Sequence, residues 1–373
     1  LLKTKNFKYF SIKELVFVST LIIATISCIL YMGIIFVNGF AKIMSYDAFF
    51  YFNMSYAPFN VTIAPYMYRM LTPFLVYIFP FNHMVGFSLV NLTSLFLTAL
   101  LFYYYLKKLN FNQIHSFTGV LIFLLSSTVI FSMYDIVLVD FMSFLFFLLA
   151  FYALLCKNDK IYLVALILGI LNKETILFTL PLYFLLKLED NNLLESLKCT
   201  VKIAVIPVML FLGIRYYFGF TSYFSLITIK ETLLYITQAD AFFINPYIAF
   251  GTLWIISLYN IPFVKNIFLK KSLYILPFIF MQALIATDVF RVLFIAFPII
   301  IPIGLYLFKI KNVRIIMVFM GLSFFMIWTY LLIIPPNGQL LELIMFPLEI
   351  LIFSLLIIHY LSINGILKNN HLK

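Results

Sequence analysis

The chain reads as an all-α, multi-spanning membrane protein, and three observations lead there. Hydrophobic residues fill 65% of its 373 positions and charged residues only 10%, against about a quarter charged in ordinary soluble domains. Apolar runs of roughly twenty residues, the length that crosses a bilayer as a helix, recur along the sequence. When these runs are walked in order with sides alternating, all 25 Lys and Arg fall on the starting face except Lys42, Arg69, Lys173, Arg215, Lys230 and Arg291. The positive-inside rule makes the lysine-bearing face cytoplasmic.

The elements follow in order. The first run, 15–37, follows Lys3, Lys5, Lys8 and Lys13 and lacks a small-residue cleavage site, so it is kept as a span and not a cleavable signal. Further runs lie at 84–106, 116–134, 136–156, 161–171, 175–187, 203–217, 248–264, 272–287, 289–308, 315–335 and 340–361. Together they predict roughly twelve crossings, some of them short, broken or re-entrant, with both termini cytoplasmic. Pro65, Pro73 and Pro80 break the stretch before the second run, so 70–80 is expected to dip in without crossing. No repeat or linker divides the chain, which reads as a single integral membrane domain over 1–373. The aromatic-rich loops 38–83 and 218–247 are expected to lie at headgroup level on the outer face and to cover a site there.

The stretch 161–187 decides the topology. As one helix it would bury Asn172, Lys173 and Glu174 at its middle and send every later lysine cluster outside. As a hairpin it keeps them inside. Its arms reach only about 17 and 20 Å against a hydrocarbon core of about 30 Å. The polar tip therefore belongs within the outer leaflet, facing protein or a wet cavity.

Composition also excludes function classes. The net charge of +11 is explained by cytoplasmic loops facing anionic lipid, so no nucleic-acid partner is expected. Cys28, Cys156 and Cys199 offer no outer pair for a disulfide. His83, His115, His359 and His371 show no metal-ligand spacing, and neither a metal nor a cofactor is expected.

The outward half holds the residues suited to chemistry, where ionisable groups near hydrocarbon mark function by default. Asp47 lies alone in an aromatic segment, Tyr46 to Tyr51, where desolvation suits a general base. Tyr66 and Arg69 are three apart, on one face if helical, and Arg69 offers a planar fork for phosphate oxygens. Asp135 and Asp140 bracket the start of the 136–156 run; five helical steps separate their faces, and Asp140 is favoured for the site. Asp288 and Arg291 have the spacing of an ion pair closing a helical turn, one that can also aim Arg291 at a phosphate. Arg215 has only its position to recommend it. Glu349, seven residues after Glu342, is expected to be hydrogen-bonded inside the bundle.

Three segments resemble the glycosyltransferase C superfamily, the multi-spanning enzymes that use polyprenyl-phosphate sugars, and its uncharacterised prokaryotic branch in particular. They are Asp47 with the following Pro65-Tyr66-Met67-Tyr68-Arg69-Met70-Leu71-Thr72-Pro73, Asp140 with apolar Phe141 to Leu149, and Leu171-Asn172-Lys173-Glu174-Thr175. Asp288 to Arg291 is a fourth likeness. The resemblance covers mainly 38–187. It implies inverting transfer of a sugar from a polyprenyl-phosphate donor to an acceptor hydroxyl at the extracytoplasmic face of the cell membrane. Asp47 stands where the family carries its base, although Ala48 follows where a second acid is common. On that reading Arg69, Lys173 and Arg291 hold the donor phosphate, while Tyr66, Asp140, Glu174 and Asp288 bind sugar or acceptor or support those that do. The acceptor is a glycan, a lipid or a protein. The competing readings are a transporter or flippase of a lipid-linked saccharide and an outer-face glycan polymerase.

Overall fold

A computed structural model describes residues 12–37, 45–80, 82–219, 239–282, 286 and 288–306, and every regular element among them is a helix. In chain order these are α1 (Ile12–Val37), α2 (Tyr46–Tyr56), a 3-10 turn (Tyr66–Tyr68), α3 (Leu71–Ile78), α4 (His83–Lys108), α5 (Gln113–Leu124), α6 (Ser127–Tyr134) and α7 (Asp140–Leu155). There follow α8 (Asp159–Asn172), a 3-10 turn (Glu174–Thr179), α9 (Leu180–Lys187), α10 (Leu193–Phe218), α11 (Ala239–Phe250), α12 (Leu253–Asn260), α13 (Ile267–Ser272), α14 (Leu276–Gln282), α15 (Val289–Leu293) and α16 (Phe297–Leu305). Polar residues mark the starts. Ser45, Asn82, Asn112, Ser126, Asn158, Asn192 and Asn266 each accept a hydrogen bond from a backbone N–H of the first turn, satisfying a donor that the helix leaves unpaired. Lysines close the last turns of α4, α9 and α13, where the helix dipole favours cations.

The bundle has two chemically distinct ends. At one, Lys107 pairs with Glu14 at 3.6 Å, Lys157 with Asp190 at 2.8 Å, Lys187 with Asp159 at 2.9 Å and Lys271 with Glu189 at 2.9 Å. Phe111, at the start of α5, meets Tyr306 beyond α16 at the same end. The other end holds the first residues of α2, α7 and α15 and the last residues of α8. One apolar core joins the helices between them, with Phe102, Phe123, Phe144, Phe294 and Phe297 interlocked in edge-on and stacked pairs.

The 161–187 hairpin forms. Lys187 returns to Asp159, the Tyr183 ring stacks on Tyr162, and the Tyr162 and Thr179 hydroxyls share a hydrogen bond of 2.9 Å. Gly169, one turn before the tip, lies against Ile176 so closely that a Cβ would stand 2.3 Å from its terminal methyl. The chain therefore doubles back at Asn172-Lys173-Glu174. α3 has eight residues, about 12 Å of helix, and is too short to cross a bilayer.

The expected number of crossings is corrected. Among the described residues three helices are long and apolar enough to cross a membrane, Ile12–Tyr31, His83–Lys108 and Leu193–Phe218, with a fourth if Gln113–Leu124 and Ser127–Tyr134, bent by 49°, count as one. Asp140–Leu155, Leu253–Phe263 and Val289–Leu305 are apolar but shorter. The run at 161–171 is a single helix, α8, but its 14 residues are about 21 Å long, and the runs at 175–187, 248–264, 272–287 and 289–308 mix α and 3-10 segments where they are described. The chain doubles back at Asn172-Lys173-Glu174, and Gly251 at φ 59, a conformation suited to glycine, separates α11 from α12. The run placed at 203–217 is longer than expected, since α10 starts at Leu193. Runs 315–335 and 340–361, Glu342, Glu349, Lys42, Lys230, Glu231 and most of loop 218–247 lie outside the described residues.

Candidate functional site

Five chain segments meet at the lysine-poor end, and the helix termini explain the charges they bring. Asp140 opens α7 and Asp47 lies in the first turn of α2, where the helix dipole favours an anion. Lys173 sits just past the last turn of α8, where it favours a cation. Because α7 and α8 run antiparallel, those two ends coincide.

Arg291 is the hub. Its Nε and Nη2 donate to Asp140 Oδ2 at 3.0 and 2.8 Å. Its Nη1 donates to Asp288 Oδ2 at 2.6 Å and to Asp47 Oδ2 at 3.2 Å. The other Asp140 oxygen accepts from Lys173 Nζ at 3.1 Å. Tyr66 donates its hydroxyl proton to Asp47 Oδ1 at 2.7 Å, with its ring stacked on Phe50. Beside this group Arg69 forks onto Glu174, Nη2 to Oε1 at 3.1 Å and Nε to Oε2 at 3.4 Å. Its Nη1 reaches the Tyr51 hydroxyl at 3.3 Å. Burial pushes the Tyr51 phenol up to about 12, so it stays a neutral hydrogen-bonding group.

Asn172 ties the elements together. Its Oδ1 accepts from Thr72 of α3 at 2.6 Å, and its Nδ2 donates to the Val139 carbonyl at 2.9 Å and the Ser143 hydroxyl at 2.8 Å. With every bond made, the hairpin tip is fixed to the start of α7 and to α3. Asp135 works from outside: its Oδ2 accepts from the Ser45 backbone N–H at 3.0 Å. Ser45 caps α2, so Asp135 anchors the helix that carries Asp47.

The expected residues gather. Asp47, Tyr66, Arg69, Asp140, Lys173, Glu174, Asp288 and Arg291 form two adjoining networks on facing elements. Asp140, not Asp135, joins the ionic hub; the two do not share a helix, since Asp135 ends α6 and Asp140 starts α7. Tyr66 opens the 3-10 turn and Arg69 caps its end, yet they serve different carboxylates. Arg69, Lys173 and Arg291, expected to hold a phosphate, each already face a carboxylate. Across these side chains Asp47, Asp140, Glu174 and Asp288 outnumber the three cations by one. Access differs among the carboxylates on Arg291. Asp140 is 1% exposed, Asp47 24% and Asp288 45%. Among the described residues no group of three or more His, Cys, Asp or Glu is arranged to hold a metal ion.

Sequence reasoning passed over Tyr51 and Thr72 and gave Arg215 only its position. Tyr51 stands four residues after Asp47 on the same helix, the spacing that puts both on one face. Thr72 follows Arg69 in the segment already singled out. Arg215 closes α10 with its guanidinium 4.5 Å from the Tyr68 ring centre and 3.8 Å from that of Phe211. A cation at the outward end of an otherwise apolar last turn was its only signal. Comparison with known protein families, characterised proteins and solved structures finds no match to this chain.

Proposed function

We propose that the chain is a membrane glycosyltransferase that moves a sugar from a polyprenyl-phosphate donor to an acceptor hydroxyl at the extracytoplasmic face, with inversion. One observation carries the reading. A carboxylate with a fixed orientation and partial access, Asp47, shares an arginine with a buried acid, at the end of an apolar bundle opposite its loop lysines. Ionisable groups gathered in such surroundings cost desolvation energy, and a functional role accounts for their retention.

In this mechanism the acceptor hydroxyl hydrogen-bonds to Asp47, which Tyr66 and Arg291 hold in place. The acceptor oxygen attacks the anomeric carbon from the face opposite the phosphate. The bond from anomeric carbon to phosphate oxygen breaks, the electron pair leaves with the phosphate, and the acceptor proton passes to Asp47. Arg291 Nη1, between the two accessible carboxylates, is placed to share its charge with the leaving oxygen. Buried Asp140 and Lys173 keep that guanidinium oriented. Arg69 and Glu174, with Tyr51, line the adjoining side and supply hydrogen-bonding groups to sugar or acceptor hydroxyls. The likeness of the Asp47, Asp140 and Asn172–Thr175 segments to the glycosyltransferase C superfamily points the same way. The lysine-bearing end is then cytoplasmic, with both termini on that side and membrane lipids around the bundle.

The test supplies the purified chain with farnesyl-phosphate-linked hexoses and membrane-derived acceptors, and follows farnesyl phosphate release and labelled glycoside. Asp47→Asn should lower transfer by about a thousandfold or more with an unchanged melting profile. Full transfer by that variant, or no transfer by the wild-type chain from any hexose offered, overturns the reading.

A further inference from the structure

Among the described residues one cation near the ionic site has no carboxylate partner. Arg69, Lys173 and Arg291 are all ion-paired, whereas Arg215 has no acidic partner within ion-pair distance among the described residues. Its guanidinium is held by ring faces, between Phe211 one turn back on α10 and Tyr68 of the 3-10 turn that also carries Tyr66. Tyr68 is buried, and its hydroxyl donates to the Gly219 carbonyl at 2.6 Å, fixing the end of α10 against the site. Stacking on rings orients an arginine without consuming its in-plane donors. Tyr68 directly precedes Arg69, so this charge adjoins the Arg69–Glu174 pair.

The helix behind it differs from the rest of the bundle. α10 is long enough to cross a bilayer and little of it is covered. Val205, Ile206, Met209, Leu212 and Tyr216 are all exposed along it. A fixed, half-buried cation thus tops an open apolar rail that ends at the site.

We infer that Arg215 is the docking cation for the phosphate of an isoprenyl-phosphate substrate, whose tail lies along the exposed flank of α10. The inference rests on the transferase reading and adds a residue to it. Arg215 recruits and positions the phosphate, and Arg291 remains tied to the carboxylates where bonds change. The division follows from charge. Phosphate arriving at Arg69, Lys173 or Arg291 must compete with a carboxylate already in place, and at Arg215 it meets a guanidinium that no carboxylate of the described residues pairs.

The experiment measures binding of farnesyl phosphate, and of uncharged farnesol, to the full chain in phosphatidylcholine nanodiscs. Arg215→Gln should weaken farnesyl phosphate binding by about tenfold or more and leave farnesol binding unchanged, while Arg215→Lys retains most of the affinity. Binding is measured without an acceptor and transfer in the separate release assay, so loss of docking and loss of transfer chemistry are read separately. Unchanged melting of Arg215→Gln shows that the fold is intact. Inorganic phosphate binding as tightly as farnesyl phosphate would make the site one for free phosphate and overturn the tail assignment. Phosphatidic acid competing equally, with the same dependence on Arg215, would make the residue a general lipid anchor. Wild-type affinity in Arg215→Gln, or no farnesyl phosphate binding by the wild type, overturns the proposal outright.

Discussion

Asp140 and Lys173 pair at 3.1 Å between the first residue of α7 and the residue just past α8, with both side chains withdrawn from solvent. The same carboxylate receives two hydrogen bonds from Arg291. One acid thereby pairs with two buried cations from segments far apart in sequence. Asp47, more accessible, only completes the set. This asymmetry separates a residue that holds the network from one free to meet a substrate.

Replacing Asp140 by Asn keeps the volume and removes the charge, leaving Lys173 and Arg291 buried with too little compensation. Breaking a buried pair from one side costs about 3–5 kcal/mol. Asp140→Asn should therefore lower the melting temperature in nanodiscs far more than Asp288→Asn, whose carboxylate is half exposed. Equal melting of the two variants would contradict the assignment of Asp140 as the structural acid.

Arg69 and Glu174 form a two-point contact between the 3-10 turn and the hairpin tip. A double-mutant cycle with Arg69→Gln and Glu174→Gln should give a coupling of about 1–3 kcal/mol. Arg69→Lys should recover only part of it, because an ammonium cannot make the fork. A coupling of zero in thermal or chemical unfolding would mean that the pair contributes nothing to holding the tip.

Much of the site was legible because its chemistry is rare in an apolar chain. Asp47, Arg69, Asp140, Lys173, Glu174, Asp288 and Arg291 stand out when charged residues make up 10% of the sequence, and the lysine pattern required the 161–187 hairpin that the Asp159–Lys187 and Tyr162–Tyr183 contacts form. Pairings were not legible. Whether Arg291 would meet Asp288 alone or also Asp47 and Asp140 depends on the packing of α15 against α2 and α7, which no local pattern encodes. The count of crossings failed for a related reason. Hydropathy registers the apolar runs around Gly251 and around the Asn172–Glu174 tip but is blind to the turns there. Arg215 was undervalued because its neighbours Tyr68 and Phe211 are ordinary aromatics until the fold brings their faces to it.

The division of the bundle into two ends predicts opposite accessibility in oriented membranes. Tyr46, beside Asp47, and Lys160, at the start of α8, are both exposed and lie at opposite ends. In a background where Cys28, Cys156 and Cys199 are Ser, a cysteine at 46 should react with a membrane-impermeant maleimide added to intact cells. One at 160 should react only after the membrane is opened. Labelling of both from outside, or of 160 alone, would remove the assignment of the site to the extracytoplasmic face.

Gly169 sets how tightly the hairpin closes. A Cβ there would lie 2.3 Å from Ile176 Cδ1 and 3.2 Å from its Cβ, and Ile176 is itself buried with little room to turn aside. Gly169→Ala should therefore push the returning helical arm of the hairpin away from α8 at a cost of about 1–3 kcal/mol, the usual penalty of overpacking. Ile176→Val, alone, costs about 0.5–1.5 kcal/mol by leaving a small void. Combined, the two should cost less than their sum, because the methyl removed from Ile176 is the one that Gly169→Ala would strike. The displacement has a second readout, since Lys173 and Glu174 ride on the tip: transfer should fall in Gly169→Ala and return in the double variant. Strict additivity in melting experiments would mean that the hairpin does not close at this contact, and the fixed position of the tip beside Asp140 and Arg69 would lose its support.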